Sequence, residues 1–164
     1  MEDRKIALEN MEMLPKDVRR KIALELTPEE LVKLCKEKPG WEKEICESKE
    51  FWRLKLQRDF PVLFNYYEKS GLTLTQPKNT YLKTFANYYK TLEDFSKNFD
   101  IDEKEAEDFY KSVRYALPIV NKEPPEIEIF MAKHGLNSRD HGLYIGRFLS
   151  TLFNIEGYNL IQKK

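Results

Sequence analysis

Residue types able to carry chemistry are few in this chain, and they are scattered. Cys35 and Cys46 stand eleven positions apart, and His134 and His141 stand seven apart across a glycine. A metal centre commonly draws its Cys and His ligands as pairs about two to five residues apart, and neither pair has that spacing. A Cys–His nucleophilic couple has its residue types here but no local signature. Each cysteine falls on an apolar stripe, where a free thiol packs as a small hydrophobe, so a structural core role is expected for both. Carboxylates crowd together in Glu42-Lys43-Glu44 and Asp102-Glu103-Lys104-Glu105, yet none stands alone in the apolar setting that a general acid needs. They read as solvated helix faces and caps. Gly135, Gly142 and Gly146 are too spread for a phosphate loop, and no strand precedes them. The aromatic series from Tyr81 to Phe95 has faces on which bases could stack, but no basic groove is interleaved with it, so it reads as core. No catalytic residue, metal or cofactor is expected.

Charge excludes another class. The 28 basic and 28 acidic residues balance locally as well: 14 of each in residues 1–60, 8 and 9 in 61–120, and 6 and 5 in 121–164. A nucleic-acid backbone is held largely by clustered Lys and Arg, and no basic stripe exists. The charged start Met1-Glu2-Asp3-Arg4-Lys5 has no apolar stretch of signal-peptide type behind it, and no run approaches the roughly 20 apolar residues that cross a bilayer. Two cysteines suit a reducing compartment, so a cytoplasmic or nuclear setting without membrane contact is expected.

The elements that position these residues are helical. At 41% hydrophobic and 13% aromatic, the chain has ample material for a core. Residues 1–13 form a leader of low information. Leu14-Pro15 then opens a helix, because proline fixes φ near the helical value and lacks an N–H that the first turn leaves unpaired. Val18, Ile22 and Leu26 follow at four-residue steps as one apolar stripe. Thr27-Pro28-Glu29-Glu30 combines an N-cap, a proline at the first helical position and a capping-box carboxylate. Leu31, Leu34 and Cys35 are the apolar face of that second helix. Pro39-Gly40 interrupts it. Trp41, Ile45 and Cys46 begin a third stripe, which Phe51, Trp52, Leu54 and Leu56 continue. Residues 61–78 read as a connector, with a break at Glu68–Gly71 and an extended stretch after Leu72. Further helices are expected from Asn79 to about Phe95, from Asp102 to Leu117 before Pro118, over Ile127–His134 up to Gly135, and from Ser138, as cap, to Gly157. The chain reads as all-α, with an N-terminal three-helix module over 14–60 packed against a helical C-terminal region over 79–164.

The pattern of that module resembles an F-box. Leu14-Pro15, Val18, Ile22, Leu26, the Thr27-Pro28-Glu29-Glu30-Leu31 step, Leu34, Trp41 and the closing Phe51-Trp52 pair fall in the family's order. The likeness covers roughly a quarter of the chain, and its phrasing is similar to that of F-box-like proteins encoded by large DNA viruses. Two places depart from the family pattern. Lys36–Gly40 is polar where the second helix often continues with apolar residues, and Arg19 and Arg20 stand where aliphatic residues are common.

The resemblance implies a module that docks on a Skp-type adaptor of a cullin–RING ubiquitin ligase. Leu14, Pro15, Val18, Ile22, Leu26, Leu31 and Leu34 would then be the adaptor-facing or supporting apolar groups, with Trp41 and Trp52 locking the third helix as structural core. The C-terminal helices would recruit an unknown target protein. The competing expectation is a non-enzymatic structural or assembly protein, such as a minor virion component bound to viral structural proteins. In that case the same residues serve only as packing, and the setting is a virus particle.

Overall fold

The computed structural model describes residues 15–70, 75–118 and 123–161. Leu14, the leader 1–13 and residues 72–74 of the extended stretch expected over Leu72–Lys78 lie outside the described residues, and Pro77 and Lys78 of that stretch are helical. Among the described residues the chain is all-helical, with no strand. The described residues divide into two compact units, one built from 15–61 together with 75–82, the other from 62–70 together with 83–118 and 123–161.

In the first unit, α1 spans Lys16–Leu24 behind Pro15, and α2 spans Pro28–Glu37. The capping box is present in full: the Glu30 amide donates to Thr27 Oγ1 at 3.3 Å, and the Thr27 amide donates back to Glu30 Oε1 at 3.2 Å. The third stripe divides into separate pieces. A single helical turn, Pro39–Trp41, runs into a π-helical turn, Glu42–Cys46, closed by the Glu47 amide on the Glu42 carbonyl at 2.7 Å. The five-residue step from Trp41 to Cys46 fits that wider helix. Ser48 then restarts the chain by accepting from the Phe51 amide at 3.2 Å, and α3 follows over Lys49–Asp59. A serine cap in the short polar seam Glu47–Glu50 is what converts one expected helix into two. Ala23, Leu26, Leu31, Trp41, Ile45, Phe51, Trp52, Leu56 and Tyr81 form the core of this unit.

Residues 61–78, expected as a connector, instead contain a helix, α4, over Pro61–Lys69. Proline starts it, as at α1, and Leu63 and Phe64 give it a buried side. The next helix, α5, runs Pro77–Phe99, longer than expected at both ends. Asn79 lies inside it and donates to Gln76 Oε1 at 2.9 Å.

The second unit continues with α6 over Glu103–Val113, where Asp102 accepts from the amides of Lys104 and Glu105. A 3-10 turn, Arg114–Ala116, follows. Then come α7 over Pro125–Lys133, α8 over Ser138–Ile155 and the short α9 over Tyr158–Ile161. The cap of α8 is Asn137, whose side chain accepts from the Asp140 amide at 2.7 Å, rather than Ser138. Gly135, at φ 66°, ends α7 in the left-handed conformation that glycine tolerates best. The core is an aromatic column. Phe109 stacks on Phe130 at 3.8 Å between ring centroids, and Phe95 stacks on Phe148 at 3.9 Å. The series from Tyr81 to Phe95 is thus largely committed to packing, with Tyr81, Tyr88, Leu92 and Phe95 buried.

Two features of the second unit carry measurable consequences. Gly157 has φ 90°, and a Cβ there would stand 3.0 Å from Leu63 Cα. Gly157→Ala meets both a backbone clash and a disfavoured dihedral, and we expect a loss of about 1–3 kcal/mol as a lower urea midpoint; an unchanged midpoint would contradict the packing of Gly157 on α4. Burial pushes the Tyr88 phenol well above the ordinary tyrosine range, aided by the charge of Glu107. Burial does the same for Tyr110, aided by its hydrogen bond to Glu156. Their folded pKa values exceed the unfolded value of about 10. The stability linked to them is therefore complete below about pH 10 and is lost as pH rises above it. Of the nine tyrosines, Tyr88 and Tyr110 should ionise only with cooperative unfolding in an ultraviolet titration. Reversible ionisation of all nine near pH 10 would refute this.

Candidate functional site

The residues singled out for partner binding separate by burial. On α1, Pro15 is exposed, Val18 is 39% exposed and Ile22 is half-buried. Val18 and Ile22 are four residues apart and share one edge of the helix. Leu26 and Leu31 have almost no accessible surface, and Leu34 is buried as well. These three support the module from inside and offer a partner little to touch. Val32, on α2, was not singled out by the periodicity, because it lies off the Leu31–Leu34–Cys35 face. It is 50% exposed. A lone apolar residue outside a stripe carries little signal before the helix is seen in place.

Both tryptophans are core. Trp52 Nε1–H donates to the Cys46 carbonyl at 2.9 Å, its ring meets Phe51 edge-on at 5.3 Å, and Tyr81 lies at 5.5 Å. This ties α3 to the π-helical turn and to the first turns of α5. Trp41 is buried beneath Arg19, whose guanidinium lies 5.7 Å from the ring centroid and pairs with Glu44 at 3.1 Å. Arg19 therefore binds α1 to the π-helical turn.

The cysteines differ from expectation. Both are buried, but they are joined in a disulfide with Cα atoms 6.5 Å apart. Their places on apolar stripes imply free thiols packed as small hydrophobes. The Pro39–Gly40 break turns the chain so that Cys46 comes back against the last turns of α2. The pair borders a cleft of 320 Å³ lined also by Leu31, Val32, Trp52 and Leu82, with Lys36, Lys78, Glu42 and Glu47 contributing charge.

The histidines do not converge. His134 meets Glu105 at 3.0 Å, while His141 Nδ1 accepts from the Asn137 amide. Among the described residues no group of three or more His, Cys, Asp or Glu is placed to hold a metal ion, and no helix is long and apolar enough to cross a membrane. No family model, curated protein or solved structure matches the chain.

Trp52→Phe keeps most of the ring packing but leaves the buried Cys46 carbonyl without its indole donor. We expect destabilisation of about 1–3 kcal/mol in urea unfolding. A variant as stable as the parent would show that this bond does not hold the π-helical turn.

Proposed function

We propose that the chain is a non-enzymatic binding adaptor whose N-terminal helices form an F-box-like module, docking on a Skp-type adaptor of a cullin–RING ubiquitin ligase, and whose C-terminal helices recruit a target protein. One observation carries this reading. The apolar stripe of α1 is only partly used by its own core: Ala23 and the following Leu26 are buried, while Pro15, Val18 and part of Ile22 remain open. An amphipathic edge with apolar anchors at four-residue spacing suits a helical partner. Val32 adds a second exposed aliphatic group from α2. Leu26, Leu31 and Leu34 act from within, holding α1 and α2 in place. The second unit leaves Ile129, Leu143 and Tyr144 more than half exposed, which gives a target aliphatic and aromatic surface to meet.

The test is a direct binding measurement with a purified Skp-type adaptor. The intact chain should bind at micromolar concentration. Val18→Asp, at an exposed site, should weaken binding at least about tenfold, near 1.4 kcal/mol, without moving the melting temperature. No binding by the parent chain overturns the proposal. Self-association in place of adaptor binding would favour the assembly-protein reading.

A further inference from the structure

Nothing in the F-box-like reading gives the Cys35–Cys46 bond a role, and its position is informative. It joins the C-terminal half of α2 to the end of the π-helical turn, across the Pro39–Gly40 break. Both residues border the 320 Å³ cleft, together with Val32, Lys36, Glu42, Glu47 and Lys78, all of which are exposed. Each cysteine is more than nine-tenths covered, and the cleft is the side from which a small thiol would approach the pair.

The reduced state is also provided for. Cys46 Sγ lies 3.7 Å from the Leu31 carbonyl. A disulfide sulfur has no hydrogen to donate, whereas a reduced Cys46 thiol would find this acceptor already in place. On reduction the two sulfurs must move apart from bonding distance, and the Leu31 carbonyl then offers the Cys46 thiol an acceptor.

We propose that Cys35 and Cys46 form a reversible redox couple that latches the π-helical turn onto α2, so that its oxidation state sets how firmly the wall of the cleft beside Trp52 is held. The exchange is balanced with glutathione as reductant. A glutathione thiolate attacks one sulfur, the Cys35–Cys46 bond breaks, and a mixed disulfide forms. A second thiolate displaces the protein sulfur as oxidised glutathione leaves. Two electrons pass to the protein, and each cysteine takes up one proton. Oxidised glutathione runs the steps in reverse. Closing a short loop restrains the unfolded chain and the π-helical turn together, so the oxidised form is the more stable one.

The intact chain, equilibrated in glutathione buffers of graded ratio, would be quenched by alkylation and weighed by mass spectrometry. The expected result is one two-electron transition inside the range from excess oxidised to excess reduced glutathione. The oxidised form should melt on the order of 5–10 °C above the reduced form. A Cys35→Ser/Cys46→Ser double variant should melt near the reduced form and ignore the buffer. A bond that survives excess reduced glutathione would be a permanent staple and would overturn the proposal. Thiols that stay reduced in excess oxidised glutathione, or equal melting of the two forms, would overturn it as well.

Discussion

A lysine with almost no exposed surface constrains the first unit. Lys55 is 2% exposed, and a buried ammonium is tolerable only when its protons are taken up by partners. Lys55 Nζ donates to the Leu24 carbonyl at 2.6 Å and pairs with Asp59 at 3.1 Å, with the Tyr81 ring 5.5 Å away. Tyr81 in turn donates its hydroxyl to Asp59 at 2.6 Å. Burial lowers the Lys55 pKa, and the Asp59 carboxylate opposes that shift. Leu24 is the last residue of α1, where carbonyls lack helical partners and positive charge is favourable. One side chain thus satisfies the end of α1, the C-terminal half of α3 and the start of α5.

That anchorage bears on the proposed docking edge. With its C-terminal end held by Lys55 and its middle held by Arg19 against Glu44 and Trp41, α1 cannot roll to bury Val18 without breaking charged contacts. The exposure of Val18 is therefore a property of how the helix is fixed. Such an edge is pre-organised, so a partner that covers it orders little on binding. The second unit is held differently, by stacked Phe109–Phe130 and Phe95–Phe148 pairs and by Glu156, which takes the Tyr110 hydroxyl and the Arg114 guanidinium.

The helical class was legible because capping chemistry is local. Thr27 with Glu30, Asp102, and Gly135 after α7 all mark helix ends through groups within a few residues of one another. What escaped the sequence was mostly non-local or masked by an apolar run. The helix at Pro61–Lys69 was obscured because its apolar and aromatic residues, Val62 to Tyr67, run together without a clean stripe. Ser48 caps locally between the charged Glu47 and Lys49, in a polar seam too short to separate the apolar stretches ending at Cys46 and starting at Phe51. Of the candidate site, spacing identified which residues are apolar but not which of them the core consumes. Leu26 and Val18 belong to the same four-residue series, and only packing separates the buried one from the open one. Lys55 is the extreme case, since a lysine at an exposed helical position and one at the centre of a core look alike in one dimension.

The departures from the F-box pattern bear on how far that resemblance extends. Under the proposed F-box-like reading Arg19 stands where aliphatic residues are common, and its guanidinium is spent internally on Glu44 and on the face of Trp41. It leaves the Val18–Ile22 edge apolar. The polar Lys36–Gly40 segment shortens α2, yet that break is what lets the chain double back and bring Cys46 onto Cys35. A second helix that continued with apolar residues would carry the following turn away from α2 and separate the two sulfurs. Both departures therefore serve the same local end, fastening the π-helical turn to α1 and to α2. The substitution that would remove the proposed docking edge is a charge at Val18 or Ile22, and the sequence has none there.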